Sequence, residues 1–215
     1  LVAVRGRLMQ AARGDGAMLA VRASEEEVRE VLAGVEGDLD VAAVNGPEAT
    51  VISGSRSAAE AVAQHFAALG RKTTRLTVSH AFHSPHMDEV LEEFRTAISG
   101  LTFHPPKIPV ISNITGLPAT DDDLRSPHYW ARHIRGTVRF HPGIQHLQTN
   151  NTTRYLELGP DTTLTALAQQ TLDGTEALLT PTLRKNTPEP TTLTTALARL
   201  HTTGHTPTTW QPQTP

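Results

Sequence analysis

The fold of this 215-residue chain is decided by residues 39–55, LDVAAVNGPEATVISGS. Two runs rich in β-branched residues, 39–45 and 49–55, lie on either side of an Asn-Gly-Pro turn signal at 45–47. Strands of this length separated by such a short turn pair with one another. The stretch therefore predicts two consecutive strands joined by a tight turn.

A helix and a further strand are predicted on each side of these two strands. Each helix starts with a serine followed three residues later by a glutamate, the capping-box pattern. The outer strands are expected at 17–23 and 72–78, and the capping pairs are Ser24–Glu27 and Ser57–Glu60. The order β-α-β-β-α-β over residues 17–78 is that of a ferredoxin-like α+β unit.

The rest of the chain alternates helices and strands, which is typical of an α/β body with a parallel sheet. Helices are expected at 86–99, from Pro127, at 141–149 and at 161–172 with Asp161 as the cap, and strands at 107–113, 153–159 and 177–183. The large α/β part would comprise residues 1–16 and 79–180, with 17–78 inserted into it. Residues 181–215 are rich in Thr and Pro and are expected to be a linker with one helix near 191–202.

Composition excludes several classes of function. The net charge of -3 and pI near 6.4 give no basic surface for nucleic acid. No apolar run approaches the roughly 20 residues that span a bilayer, and the stretch LVAVRGRLMQ lacks the h-region and cleavage-site pattern of a signal peptide. The absence of cysteine excludes disulfides and thiolate chemistry. We expect a soluble, cytoplasmic protein, and because LVAVRGRLMQ begins inside a helix without a cap, a piece of a longer chain.

Three histidines, His80, His83 and His86, recur at intervals of three in VSHAFHSPHM. They could be zinc ligands, although Pro85 disfavours the continuous helix that H-x-x-H ligation uses. One of them could be a general base, since a neutral imidazole accepts protons near pH 7. They could also be polar caps of backbone groups. The spacing alone leaves all three possibilities open.

Arg5 lies in a mostly apolar helical stretch, VAVRGRLMQAA. A buried arginine requires an anion, and its planar guanidinium suits a carboxylate held by two hydrogen bonds. The alternative is a side chain that extends along a half-exposed helix to reach water. The pattern does not distinguish these two.

Five stretches in order resemble the acyltransferase domain of modular polyketide synthases and the related malonyl-CoA:acyl-carrier-protein transacylases. The stretches are VRGRLMQ, VNGPEATVISG, VSHAFHSPHM, YWARHIRGTVRF and LELGPDTTLTAL. The resemblance implies an α/β-hydrolase-like large subdomain, here partial, with an inserted ferredoxin-like small subdomain. It also implies ping-pong transfer of an acyl group from an acyl-CoA to the phosphopantetheine thiol of a carrier protein, with no bound cofactor and no metal.

The resemblance assigns roles to particular residues. His83, the second histidine of HAFH, matches the catalytic base, and Arg5 matches the arginine that binds the free carboxylate of a malonyl group. His133 falls where a backbone carbonyl orients the catalytic imidazole. The implied partners are malonyl-CoA, an acyl carrier protein, and the adjacent ketosynthase and linker domains, with neither nucleic acid nor membrane among them.

The tetrad HAFH, residues 80–83, resembles the form associated with malonyl selection, whereas relatives selective for methylmalonyl typically have YASH. Phe82 would narrow the space beside the α-carbon, and His80 would form a wall of the pocket. A single methyl group is worth only about 1–3 kcal/mol of discrimination in an apolar pocket. His86 is expected at the surface or as a cap.

The family's nucleophile lies in a Gly-His-Ser-X-Gly elbow, and this chain contains no G-x-S-x-G. We therefore expect the C-terminal part of an acyltransferase domain, inactive as an isolated chain. The alternative is a non-catalytic docking or scaffold module of a multienzyme, in which the small α+β unit and the Thr/Pro tail bind partner domains.

Overall fold

A computed structural model describes residues 1–204 of the chain. It separates into two compact units, the first comprising Leu1–His146 and the second beginning at Leu147. The nine α-helices of the described residues are α1 Val2–Ala11, α2 Glu25–Leu32, α3 Arg56–Ala68, α4 Asp88–Ile98, α5 Asp121–Arg125, α6 Pro127–Arg135, α7 Phe140–Thr149, α8 Thr163–Thr171 and α9 Glu189–Thr202, and a short 3-10 helix covers Pro85–Met87. Their six strands are β1 Gly16–Val21, β2 Leu39–Gly46, β3 Ala49–Ser55, β4 Thr73–Arg75, β5 Arg154–Glu157 and β6 Leu178–Pro181.

The predicted element order β-α-β-β-α-β is present as β1-α2-β2-β3-α3-β4. The four strands form one sheet in the order β2-β3-β1-β4, with antiparallel neighbours throughout. The fourth strand is shorter than predicted, because only Thr73–Arg75 pair with β1. In the second unit, β5 and β6 form a parallel pair.

Alternation along the strands divides the sheet into two apolar faces. In β1, Leu19 and Val21 belong to the cluster that α2 and α3 cover, whereas Met18 belongs to a smaller cluster on the opposite face. Phe66 of α3 and Ile52 of β3 are nearly or fully buried in the first cluster. Each such large side chain stabilises the fold by about 1.5–3 kcal/mol.

The two capping predictions have different outcomes. Ser24 Oγ accepts the Glu27 N–H at 3.2 Å, and a Glu27 carboxylate oxygen accepts the Ser24 N–H at 2.8 Å, which confirms the first capping box. The second prediction is wrong: α3 starts at Arg56 with Ser55 as its N-cap and without a side-chain cap. Strand β3 passes directly into α3, so Ser57 already lies in the first helical turn.

Two further local predictions are also wrong. Residues 107–113 form no strand; Ile111 makes only an isolated bridge with Pro118. Pro109 lacks the N–H that a ladder needs, which disfavours a strand there. Helix α8 has Thr162 rather than Asp161 at its N-cap position.

A second apolar cluster in the first unit lies around α1, α4 and α6. Phe94, Ile98 and Ile134 are fully buried in it, and Leu8 contributes from α1. Helix α6 starts at Pro127, as predicted. In the described residues, no helix is long and apolar enough to cross a membrane.

Candidate functional site

The segment that connects β4 to α4 holds its conformation through one serine. Ser84 Oγ donates to the Ala81 carbonyl at 2.6 Å and accepts the His86 N–H at 3.2 Å. This arrangement places His83 in the left-handed region, with φ of 58°. Non-glycine residues adopt that region at a cost of about 1–3 kcal/mol, and such strain is concentrated at functional sites.

The imidazole of His83 is neutral at pH 7. Burial away from water is the main reason that its pKa falls from 6.5 to about 4, and the positive charge of Arg5 lowers the pKa further. The backbone carbonyl of Gly136 acts in the opposite direction as an acceptor for the ring. His83 Nδ1 itself is buried and has no hydrogen-bond partner among the described residues. A neutral, half-buried imidazole can accept a proton.

Arg5 reaches the same region from helix α1. Its Nη1 lies 3.4 Å from His133 Nδ1 and its Nε donates to Met9 Sδ at 3.3 Å. Burial lowers the pKa of the guanidinium. Residues 1–204 offer it no carboxylate partner within ion-pair distance. A half-buried cation without a counter-ion is a ready site for an anionic ligand.

The side chain of His133 contacts Arg5 in the candidate site. That its backbone carbonyl orients the imidazole of His83 stays a prediction; the backbone carbonyl that raises the pKa of His83 is the one of Gly136, three residues later. The ring of His133 instead lies against Arg5 and near Trp130, with 5.9 Å between the two ring centroids. Burial, and then the charge of Arg5, lower its pKa.

His80 and Phe82 lie on either side of Ala81 in the segment between β4 and α4. His80 is buried, with Nδ1 2.8 Å from Ser79 Oγ, and its ring centroid lies 5.8 Å from that of Phe82. Phe82 is half-buried and contacts both the cluster around Phe94 and the one around Met18. Phe82 thus connects the four-stranded sheet with the helices of the first unit.

The prediction that His86 lies at the surface or acts as a cap is wrong. Its side chain is 1% exposed and lies 3.7 Å from Asp15 Oδ1, and neither ring nitrogen has a hydrogen-bond partner. Gly16 makes this packing possible, because a Cβ there would lie 3.0 Å from His86 Nδ1 and 2.5 Å from the Ala81 Cβ. Sequence spacing gave no indication of this burial.

The three histidines of VSHAFHSPHM have three different environments. Ser79 contacts His80, Arg5 and Gly136 act on His83, and Asp15 lies beside His86. Among residues 1–204, no group of three or more His, Cys, Asp or Glu side chains has the arrangement to hold a metal ion. The arrangement around His83 instead combines a neutral base with an unpaired cation.

These buried imidazoles predict how stability depends on pH. Burial is the largest cause of a lowered pKa in four histidines, His83, His86, His133 and His141. The unfolded chain binds protons below pH 6.5 that the folded chain does not, so the free energy of unfolding falls as the pH drops below that value. His83 alone should account for a loss on the order of 2 kcal/mol in the free energy of unfolding by pH 5.

Urea denaturation of the intact domain at pH 7, 6 and 5 measures this dependence. His83→Asn removes the titrating ring while tolerating the left-handed backbone, so its stability should decline less steeply. Equal slopes in the two proteins would contradict a buried, neutral His83.

The fold and this site together define a class of protein, an α/β transferase domain. The sequence model of the acyl transferase domain family matches residues 1–207, and the chain belongs to that family. It is 47% identical over 214 residues to the spectinabilin polyketide synthase system protein NorB of Streptomyces orinoci, covering 98% of this chain and 10% of that protein. It is 48% identical over 204 residues to mycoketide-CoA synthase of Mycobacterium tuberculosis, covering 95% and 5% of the two chains.

Solved structures place the chain more narrowly. The acyltransferase domain from the second module of the salinomycin polyketide synthase superposes with a TM-score of 0.90 at 51% identity, covering 94% of this chain and 48% of that one. A malonyl-CoA:acyl carrier protein transacylase from Xanthomonas oryzae gives 0.82 at 28% identity, with coverage of 92% and 62%. The homologues are therefore acyltransferase domains of modular polyketide synthases, and the chain spans about half of such a domain.

Proposed function

We propose that this chain forms part of a polyketide synthase acyltransferase that transfers a malonyl-type group from CoA to the phosphopantetheine thiol of an acyl carrier protein. The observation that carries the proposal is the unpaired, half-buried guanidinium of Arg5 beside the neutral imidazole of His83. The guanidinium suits the free carboxylate of a dicarboxylic acyl unit, and the imidazole suits proton transfer at the thioester of that unit.

In this mechanism His83 transfers one proton in each of the two half-reactions. It takes the proton of a serine hydroxyl as the oxygen attacks the thioester carbonyl, and returns it to the CoA sulfur as the C–S bond breaks. An acyl-serine ester remains. His83 then takes the proton of the carrier thiol, the sulfur attacks the ester, and the serine oxygen recovers the proton as it leaves.

The serine in this scheme is supplied from outside the 215 residues, which contain no G-x-S-x-G. Large apolar side chains left exposed within each unit support a larger complete domain. Ile108 is 76% exposed in the first unit, and Leu158 is 79% exposed in the second.

We infer that β1–β4 with α2 and α3 form a ferredoxin-like small subdomain inserted into a partial α/β-hydrolase-like large subdomain. The neighbouring ketosynthase and linker domains would be further partners. The predicted linker covers residues 181–215, and its part from residue 205 onward lies outside the described residues.

Two mass measurements test the proposal. The complete domain should gain one malonyl group from malonyl-CoA and lose it to a carrier protein. The 215-residue chain alone should keep its mass, whereas a malonyl adduct on it would show that it has its own nucleophile. A complete domain that takes up no malonyl group would refute the proposed function.

The malonyl preference implied by HAFH can be tested at Phe82. Phe82→Ser should open space beside the acyl α-carbon and raise the methylmalonyl-to-malonyl product ratio by about 10-fold, within the range of about 1–3 kcal/mol that one methyl group provides. Competition between the two CoA donors measures this ratio directly. Phe103→Ser is the matched control, since Phe103 is also half-buried against the α1–α4–α6 cluster. An equal change of ratio in both variants would contradict a pocket role for Phe82.

A further inference from the structure

The turn that carries His83 is closed by the hydroxyl of the next residue, Ser84. Ser84 Oγ donates to the Ala81 carbonyl, which lies before His83 in the chain, at 2.6 Å, and accepts the N–H of His86, which lies after it, at 3.2 Å. The two bonds therefore span the proposed base. Ser84 is fully buried, so loss of its hydroxyl would leave both partners without water to replace it.

The residues that follow His83 favour the same turn. Pro85 disfavours a helical conformation in the residue before it, and Ser84 is extended, with φ of -129° and ψ of 174°. Pro85 then begins the short 3-10 helix, and the Ser84 carbonyl accepts the Met87 N–H at 2.9 Å. The chain thus passes from a left-handed residue through an extended one into a helical turn.

Close packing holds both ends of this turn against strand β1. Ala81 is fully buried, and the side chain of His86 is 1% exposed. A Cβ at Gly16, the first residue of β1, would lie 2.5 Å from the Ala81 Cβ and 3.0 Å from His86 Nδ1. The turn therefore has no room to move as a whole toward the sheet.

The turn is also attached to the helix that carries Arg5. Met87 is fully buried in the cluster around α1, α4 and α6, to which Leu8 of α1 belongs. Arg5 and Leu8 are neighbours on the surface of α1, because residues three apart in a helix lie side by side. Packing thus fixes the ends of the turn, and the conformation of His83 between them depends on the internal hydrogen bonds of Ser84.

The backbone conformation of His83 decides where its imidazole lies, since φ and ψ determine which rotamers a side chain can adopt. A non-glycine residue keeps a φ of 58° only where the surrounding structure holds it there. We propose that Ser84 is a positioning residue for acyl transfer: its buried, doubly bonded hydroxyl holds the left-handed backbone of His83 and thereby fixes the direction of the imidazole. The proposal rests on the proposed function of His83.

Ser84→Ala in the complete domain removes the hydroxyl and keeps the Cβ. The maximal rate of acyl-enzyme formation from malonyl-CoA should fall about 10-fold, a fraction of the roughly 10²–10⁴-fold that a general base contributes. The malonyl-CoA concentration that gives half of this rate should change by less than about two-fold, because Arg5 is still present to bind the donor. Rapid-quench mass spectrometry over a range of malonyl-CoA concentrations measures both quantities.

Two further variants distinguish positioning from a general loss of structure. In a His83→Asn background, which lacks the imidazole, Ser84→Ala should slow the remaining reaction by less than about two-fold. Ser84→Cys keeps nearly the same shape with a weaker hydrogen-bond donor, so its maximal rate should fall at least about three-fold even if Ser84→Ala fails to fold.

Ser112→Ala is the matched control. Ser112 is buried like Ser84, and its Oγ accepts the Ile114 N–H at 3.1 Å and lies 2.8 Å from the Tyr129 hydroxyl. Neither partner belongs to the turn that carries His83. Ser112→Ala should therefore lower the free energy of unfolding and leave the rate of acyl-enzyme formation unchanged.

The proposal would be overturned by a wild-type rate in Ser84→Ala or Ser84→Cys, or by an equal loss in Ser112→Ala. It would also be overturned if Ser84→Ala still cost about 10-fold in the His83→Asn background. If His83→Asn itself kept the wild-type rate, the proposed function would fail. If His83→Asn lost that rate and Ser84→Ala kept it, only the positioning role would be refuted.

Discussion

Replacing His83 by alanine in the complete domain should lower malonyl transfer by about 10²–10⁴-fold, the usual contribution of a general base. Both half-reactions should slow, because the proposed mechanism uses the same imidazole to activate the serine and the carrier thiol. Rapid-quench mass spectrometry of the acyl-enzyme, followed by addition of carrier protein, measures the two steps separately. Loss of only the second step would contradict the assignment of His83 as the base for acylation.

Because the backbone at His83 is strained, a second substitution is needed there to separate loss of the base from loss of the fold. His83 has a φ of 58°, which asparagine adopts more readily than most residues, so His83→Asn should keep the fold while losing the base. His104→Ala serves as the control for removal of a histidine, since His104 is exposed. A His83→Asn enzyme that folds and retains its rate would exclude a catalytic role for the ring.

Replacing Arg5 by alanine should slow loading from an acyl-CoA donor with a free carboxylate more than loading from a donor without one. Malonyl loading should fall about 100-fold, because hydrogen bonds between charged groups contribute about 1.5–3 kcal/mol and 1.4 kcal/mol corresponds to a factor of ten. Acetyl loading, which offers no free carboxylate, should change only a few-fold. The ratio of the two rates of acyl-enzyme formation is the measurement.

Arg7→Ala provides the control on the same helix, since Arg7 is exposed. It should leave both donors unaffected. An equal loss of malonyl and acetyl loading in Arg5→Ala would show that Arg5 supports the structure rather than the carboxylate.

Arg5→Ala should also change the pH dependence of the base. The positive charge of Arg5 lowers the pKa of His83, so its removal should raise that pKa and move the acid limb of the acetyl reaction to higher pH. A bound malonyl carboxylate would offset the same charge, so we expect the imidazole to become more basic when a dicarboxylic donor occupies the site. An acid limb that stays in place would contradict the electrostatic coupling of the two residues.

The sequence by itself determined the order of elements in residues 17–78 and singled out Arg5 and His83 as candidate site residues. Alternation of apolar residues and the Ser24–Glu27 capping box act over a few neighbouring residues, so the local pattern carries the information. The two candidate residues were recognisable because they lie within motifs whose order along the chain resembles a family. In the structure, the positive charge of Arg5 is near enough to lower the pKa of His83.

Only the tertiary structure decided how the site is held. The backbone carbonyl that raises the pKa of His83 is that of Gly136, and a backbone carbonyl has no signature in a sequence. His86 is buried because Gly16, about 70 residues earlier, leaves room for its ring. The segment 136–139 finds its place against β2 through contacts with residues about 95 positions away, such as Thr137 with Val41. Such contacts form when distant parts of the chain pack together, so no local pattern of residues predicts them.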